Sequence, residues 1–166
     1  MKYKIVLQPD ETNCGVACLS MICAYYGIKN MSLSIIRNFA QTDREGNSIY
    51  SITKAAEKLN MKSKAYACTK EDLLSDRVKY PMIVHTLVQG LYNHYQVLFE
   101  ANEKRVTLGD PANGLVTLTW NEFDKIWTKK IIMFWPTENF HENVKYKRSN
   151  KMLFSLIWKF KKELII

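Results

Sequence analysis

The chain has 166 residues, enough for one domain with a single sizeable core, and its 47% hydrophobic and 24% charged make-up is not that of a disordered or fibrous chain. The net charge of +8 is concentrated in residues 141–166, where seven basic and two acidic side chains give +5 and leave +3 for residues 1–140. That distribution argues against a basic nucleic-acid-binding face on the main body.

The first ten residues, MKYKIVLQPD, lack the long apolar core and small-residue cleavage site of a signal peptide. Val16, Leu19, Ile22 and Cys23, joined by Ala17 and Met21, predict a helix from about 14 to 26, with Asn13 as its N-cap and Gly27 as its stop. Two more helices are expected over 31–41, capped by Ser32, and 47–60, separated by a loop around Gly46. The chain then changes character. KSKAYAC, MIVHTLV, HYQVLFE, KRVTLGD, LVTLTW and IIMFW read as strands, with turns at Asn102-Glu103, Asp110-Pro111 and Asn113-Gly114 and a short helix around Trp120–Trp127. Lysines are mixed with bulky apolar residues in KRSNKMLFSLIWKFKKELII, which is too short and too charged to span a bilayer but could lie on an anionic membrane surface or dock on the domain as a C-terminal helix.

Helices first and a mostly antiparallel sheet afterwards is an α+β order, compatible with a papain-like architecture. The expected organisation is a folded domain over 1–140 followed by a basic amphipathic tail over 141–166. Four cysteines without a secretory signal suggest a reducing compartment. No pair of them has the C-x-x-C spacing of a zinc or redox motif, so neither a metal nor another cofactor is expected.

Among the cysteines, Cys14 opens the first predicted helix. A helix N-terminus favours a thiolate beside it, and the thiolate is the nucleophilic form of cysteine. Gly15 would let another backbone or a substrate approach closely, while Cys18 and Cys23 fall deeper in the helix as small core residues. A nucleophilic cysteine needs a base, and the chain offers His85, His94 and His141. His141 lies in the polar basic segment and His85 inside the apolar strand MIVHTLV. His94 starts a strand after a polar turn, from which it could face a cleft. A hairpin centred on Asn102 would set His94 directly opposite Asp110, whose carboxylate could then orient the imidazole; the same arithmetic gives His85 only Thr119. Gln8, six residues before Cys14, could supply an amide N–H to the oxyanion of an acyl-transfer intermediate.

The blocks QPDETNCGVACLSMICAYYG, TDREGNSIYSITKAAEKLNM, NHYQVL and GDPANG, in this order, resemble the N-terminal peptidase domain of bacteriocin-processing ABC transporters over residues 5 to 136. The resemblance implies a papain-like cysteine peptidase that removes the leader of a precursor peptide after a double-glycine-type motif. In it Cys14 would be the nucleophile, His94 the general base, Asp110 the orienting carboxylate and Gln8 the oxyanion donor. It also implies transmembrane and ATP-binding domains of the same transporter as partners, and a place on the cytoplasmic face of the bacterial membrane, with the segment after 150 leading into membrane helices. The alternative is a non-catalytic domain that docks the leader peptide for transport. One departure stands out: Asn13 occupies the position before Cys-Gly where the family usually has aspartate.

Overall fold

The computed structural model describes residues 3–141. A 3-10 turn, Glu11–Asn13, runs into α1 (Cys14–Tyr25), followed by α2 (Leu33–Ala40) and α3 (Ile49–Lys58). The remainder is β1 (Met61–Ala67), α4 (Lys70–Leu74), β2 (Met82–Val88), β3 (Tyr92–Ala101), β4 (Arg105–Asp110), β5 (Gly114–Thr119), α5 (Trp120–Ile126) and β6 (Trp127–Pro136). The α+β expectation is borne out: the strands form one six-stranded sheet in the order β1-β6-β2-β3-β4-β5, and every neighbouring pair is antiparallel.

Every residue of α1 from Cys14 to Cys23 is buried, which marks a helix enclosed on all sides rather than one with a solvent face. It packs on β3 and is covered by α2 and α3. The close fit over α3 is made by Gly15, where an added Cβ would lie 2.8 Å from Ile52 Cδ1 and 3.0 Å from Asn47 Cβ. What approaches Gly15 is therefore the neighbouring helix and its entry. At the other end, Ile28 N–H donates to Cys23 C=O and Gly27 N–H to Ala24 C=O, the paired bonds of a Schellman stop.

Two apolar clusters result. One joins the helices to Ile83, Tyr95, Val97, Phe99, Ile132 and Phe134 of the sheet. The other gathers Val84, Leu98, Leu108 and Ile131 under Phe123 and Trp127 of the α5 region. Strand alternation sends successive side chains of β3 to these two sides in turn.

Three expectations need correction, the first being Ser32, which stands at the N-cap position of α2 but makes no side-chain cap bond. Asn13 stands at the N-cap position of α1 but makes no side-chain cap bond. The helical path already begins at the 3-10 turn, so capping moves upstream to Asp10, whose carboxylate accepts from Thr12 N–H at 3.0 Å. The short helix α4 falls where no element was expected. The amphipathic tail lies outside the described residues, apart from His141. Among the described residues no helix is long and apolar enough to cross a membrane.

Candidate active site

The path from Gln8 to Cys14 is held at two points. Gln8 N–H donates to Pro111 C=O at 2.8 Å, tying the N-terminal segment to the β4–β5 turn. The Asp10 carboxylate then takes Thr12 N–H and the Thr12 hydroxyl, closing the 3-10 turn that delivers Cys14 to the start of α1. Cys14 is 4% exposed.

His94 is the third residue of β3, and its Nε2 donates to Asp110 Oδ1 at 2.9 Å. A carboxylate can only accept, so this bond places a proton on Nε2 and leaves Nδ1 as the ring atom that can serve Cys14. Burial pulls the His94 pKa down. Hydrogen bonds to Asp110 and Cys14 and the charges of both overcome that effect and carry it to about 9. Burial likewise pushes the Asp110 carboxyl up. The bonds from His94, Asn113 and the Ala112 N–H and the imidazolium charge outweigh it and hold the group well below the usual carboxylate range. The pair is therefore an imidazolium and a carboxylate at neutral pH.

The meeting of His94 with Asp110 depends on a register other than the one expected. In the β3–β4 hairpin Ala101 faces Val106 and Glu100 faces Thr107; then Leu98 faces Leu108 and Val97 faces Gly109. Phe99 is the extra residue, a one-residue bulge. Continuing the register by one puts Gln96, not His94, across from Asp110. His94 is two residues further along β3, on the same face, and reaches the carboxylate diagonally. Without the bulge Asp110 would pair with Val97 and point to the other side of the sheet. Gly109 accommodates the bulge, since a Cβ there would lie 2.6 Å from Phe99 Cε2 and 3.1 Å from Met21 Sδ of α1.

Among the described residues Asp110 has four donors, and two of the side chains, Gln96 and Asn113, are ones that sequence reasoning missed. Oδ1 accepts from His94 Nε2 and from Ala112 N–H at 2.8 Å; Oδ2 accepts from Gln96 Nε2 at 3.0 Å and Asn113 Nδ2 at 2.8 Å. Gln96 could have been noticed as a buried-strand polar residue two positions after His94. Asn113 was read only as part of the turn.

The other candidates separate from this cluster. His85 Nδ1 contacts Thr128 Oγ1 at 2.8 Å and Nε2 contacts Asn93 Oδ1 at 3.2 Å, with no carboxylate on its ring among the described residues. Burial, with the nearby Lys130 charge, lowers its pKa. His141 sits against Gly27, at the far end of α1 from Cys14; twelve helical residues are about 18 Å long. Burial pushes the Cys18 thiol far up, Cys23 to about 12 and Cys68 to about 11. Cys18 Sγ is bonded to Tyr95 C=O at 3.2 Å. Cys14 is the thiol that shares its surroundings with a charged imidazole. Gln8 is brought to the same turn as Asp110 by its backbone; its side-chain Oε1 is buried without a hydrogen-bond partner among the described residues. Among the described residues no group of three or more His, Cys, Asp or Glu could hold a metal ion.

A thiol beside an imidazole that a carboxylate orients is suited to nucleophilic acyl transfer. The family profile described as the peptidase C39 family matches residues 2–139. The lactococcin-G-processing and transport ATP-binding protein LagD of Lactococcus lactis subsp. lactis is 30% identical over 94% of this chain and 22% of its own length. The chain thus spans about a fifth of the curated relatives it matches. Among solved structures, the peptidase domain of Streptococcus ComA, a bi-functional ABC transporter, superposes with a TM-score of 0.76 at 27% identity, covering 81% of this chain and 99% of that one. A double glycine motif protease from an AMS/PCAT transporter, solved in complex with the leader peptide, gives a TM-score of 0.74 at 30% identity over 81% of this chain and 92% of that one. With the match running through the whole folded region, the α+β architecture is that of a papain-like cysteine peptidase domain, and the chain belongs to the peptidase C39 family.

Proposed function

We propose that this domain cleaves the leader from a bacteriocin or similar secreted peptide precursor after a Gly-Gly-type motif, using Cys14 as nucleophile. The observation that carries the reading is the charged His94 between Cys14 and Asp110, in a chain whose other three thiols are held protonated by burial. The charged His94 carries on Nδ1 the proton that Cys14 has given up, and the sulfur attacks the carbonyl carbon of the second glycine. Gln8 and backbone N–H groups at the start of α1 hold the oxyanion. Collapse of this intermediate breaks the peptide bond while His94 protonates the leaving amine, and water then releases the leader from the sulfur. Asp110 keeps the ring aligned through both proton transfers.

The likeness to a double glycine motif protease solved with its leader peptide supports this substrate class. The curated relatives are processing and transport ATP-binding proteins, which supports a partnership with transmembrane and ATP-binding domains and a place at the cytoplasmic face of the membrane. Incubating the domain with a synthetic double-glycine leader peptide and locating the cut by mass spectrometry tests the proposal. Cleavage after the second glycine is expected, with Cys14→Ala binding the peptide but leaving it intact. An intact peptide bound by folded wild-type protein would replace the enzyme by a docking domain.

A further inference from the structure

Gln96 is the polar member of a segment that continues Tyr95, Val97, Leu98 and Phe99, and it is only 5% exposed. Its Nε2 donates to Asp110 Oδ2, while its Oε1 is buried with no hydrogen-bond partner among the described residues. The orientation of the amide is fixed by chemistry, because a carboxylate accepts and cannot donate. An amide satisfied at one end only is a cost to folding, since a buried acceptor without a donor loses its hydration for nothing. An apolar side chain of the same length would remove that cost and fit the neighbouring cluster, whose Val84 stands across β2 from Gln96.

The four donors to Asp110 differ in what they tie it to. Ala112 and Asn113 belong to the turn that directly follows Asp110 and move with it. His94 and Gln96 belong to β3, two residues apart on one face, and they grip opposite oxygens. Among the described residues Gln96 is thus the one donor, apart from the base itself, that fixes the carboxylate relative to the strand carrying the base. A carboxylate held on both oxygens from one strand cannot rotate about its own bond without breaking one of the two contacts. We propose that Gln96 is a positioning residue: it locks the Asp110 carboxylate so that Oδ1 stays in line with His94 Nε2 through the proton transfers. This rests on the reading of His94 as the base of the site.

The test replaces Gln96 by Met, of similar length but without a donor, and by Leu as a second apolar variant should the first fail to fold. Three quantities are measured on the whole chain: melting temperature, the His94 ring titration by NMR, and turnover of a double-glycine leader peptide. The melting temperature should change little, because losing the bond to Asp110 is offset by removing the unpaired Oε1. The ring titration should move down from about 9 toward the ordinary imidazole value of ~6.5. The kcat should fall about tenfold, the scale of a lost bond to a charged group, with KM within about twofold. A ring titration that stays in place, or a loss of turnover matched by a loss of melting temperature in both variants, overturns the proposal. The titration needs no substrate. A shifted ring in a protein that cuts no peptide would uphold the positioning role and reject the peptidase reading, and cleavage with an unshifted ring would do the reverse.

Discussion

Asp110 is ionised at a position only 5% exposed, and the charge is tolerable because donors fill both of its oxygens. That saturation explains why the nearly isosteric Asp110→Asn should be a severe change. An amide turns one acceptor into a donor, and wherever it points it meets another N–H, either from His94 and Ala112 or from Gln96 and Asn113. The imidazolium also loses the charge that helps to raise its pKa. Asp110→Asn should therefore lower kcat by about 10²–10⁴-fold, the range for impaired general acid–base catalysis. If His94 is the base as proposed, the alkaline limb of kcat/KM should lie near 9 in the native protein and move down toward ~6.5 in the variant. A pH–rate profile of the variant checks both, and an unmoved limb would show that Asp110 does not act through the ring.

At the scale of elements, the bulge at Phe99 decides which way Asp110 faces, and Gly109 is the residue that makes room for it. Gly109→Ala should destabilise the domain by about 1–3 kcal/mol through overpacking against the Phe99 ring and Met21. Activity should suffer as well, because the strain falls on the residue next to Asp110. Shrinking the obstacle with Phe99→Leu should recover part of that loss. Urea unfolding of the two single variants and the double variant measures it, and strict additivity would mean that the two positions are not coupled. This hairpin also marks where the sequence stops being legible. Helix periodicity located α1, α2 and α3, and apolar alternation located the strands, because each signal is local. The register is not local. A loop centred on Asn102 looked sufficient, yet the turn lies further along, where Asn102 Oδ1 accepts the Lys104 and Arg105 N–H groups, and Phe99 adds one more residue to β3. The two departures together shift the pairing by an even number, so His94 and Asp110 still share a face. Cys14 could be singled out by its place at a helix start, whereas Gln96 looked like any polar strand residue. The helix α4 was missed because five residues are too few to show a period; its signature was the Thr69–Asp72 capping box.

The whole molecule places its chemistry where two apolar clusters meet: Cys14 belongs to the helical one, and His94, Gln96 and Asp110 lie on the β3–β4 face that continues into the other. Folding is thereby coupled to the protonation of the site, with a sign that can be worked out. The folded His94 titrates near 9, above the ~6.5 of an unfolded histidine, so its contribution to stability is complete below ~6.5 and disappears as pH rises to about 9. Asp110 is depressed, so its contribution is present above ~3.9 and is lost as pH falls below that value. His85 works against the fold at the acid side: its pKa is lowered, and the unfolded chain gains protons first as pH drops through ~6.5. Cys23 and Tyr80, both held near 12, and Cys68, held near 11, add a separate loss that begins only above ~8.5, where unfolded thiols ionise. Stability should accordingly peak near pH 6 and decline in two stages on the alkaline side, the first from His94 and the second from the buried thiols and phenol. Urea midpoints measured from pH 5 to 10 would trace both stages. In His94→Gln, whose amide can still donate to Asp110 but does not titrate, the first stage should vanish while the second remains. A native curve that is flat between pH 6.5 and 8.5 would mean that the imidazolium–carboxylate pair does not help to hold the two halves of the site together.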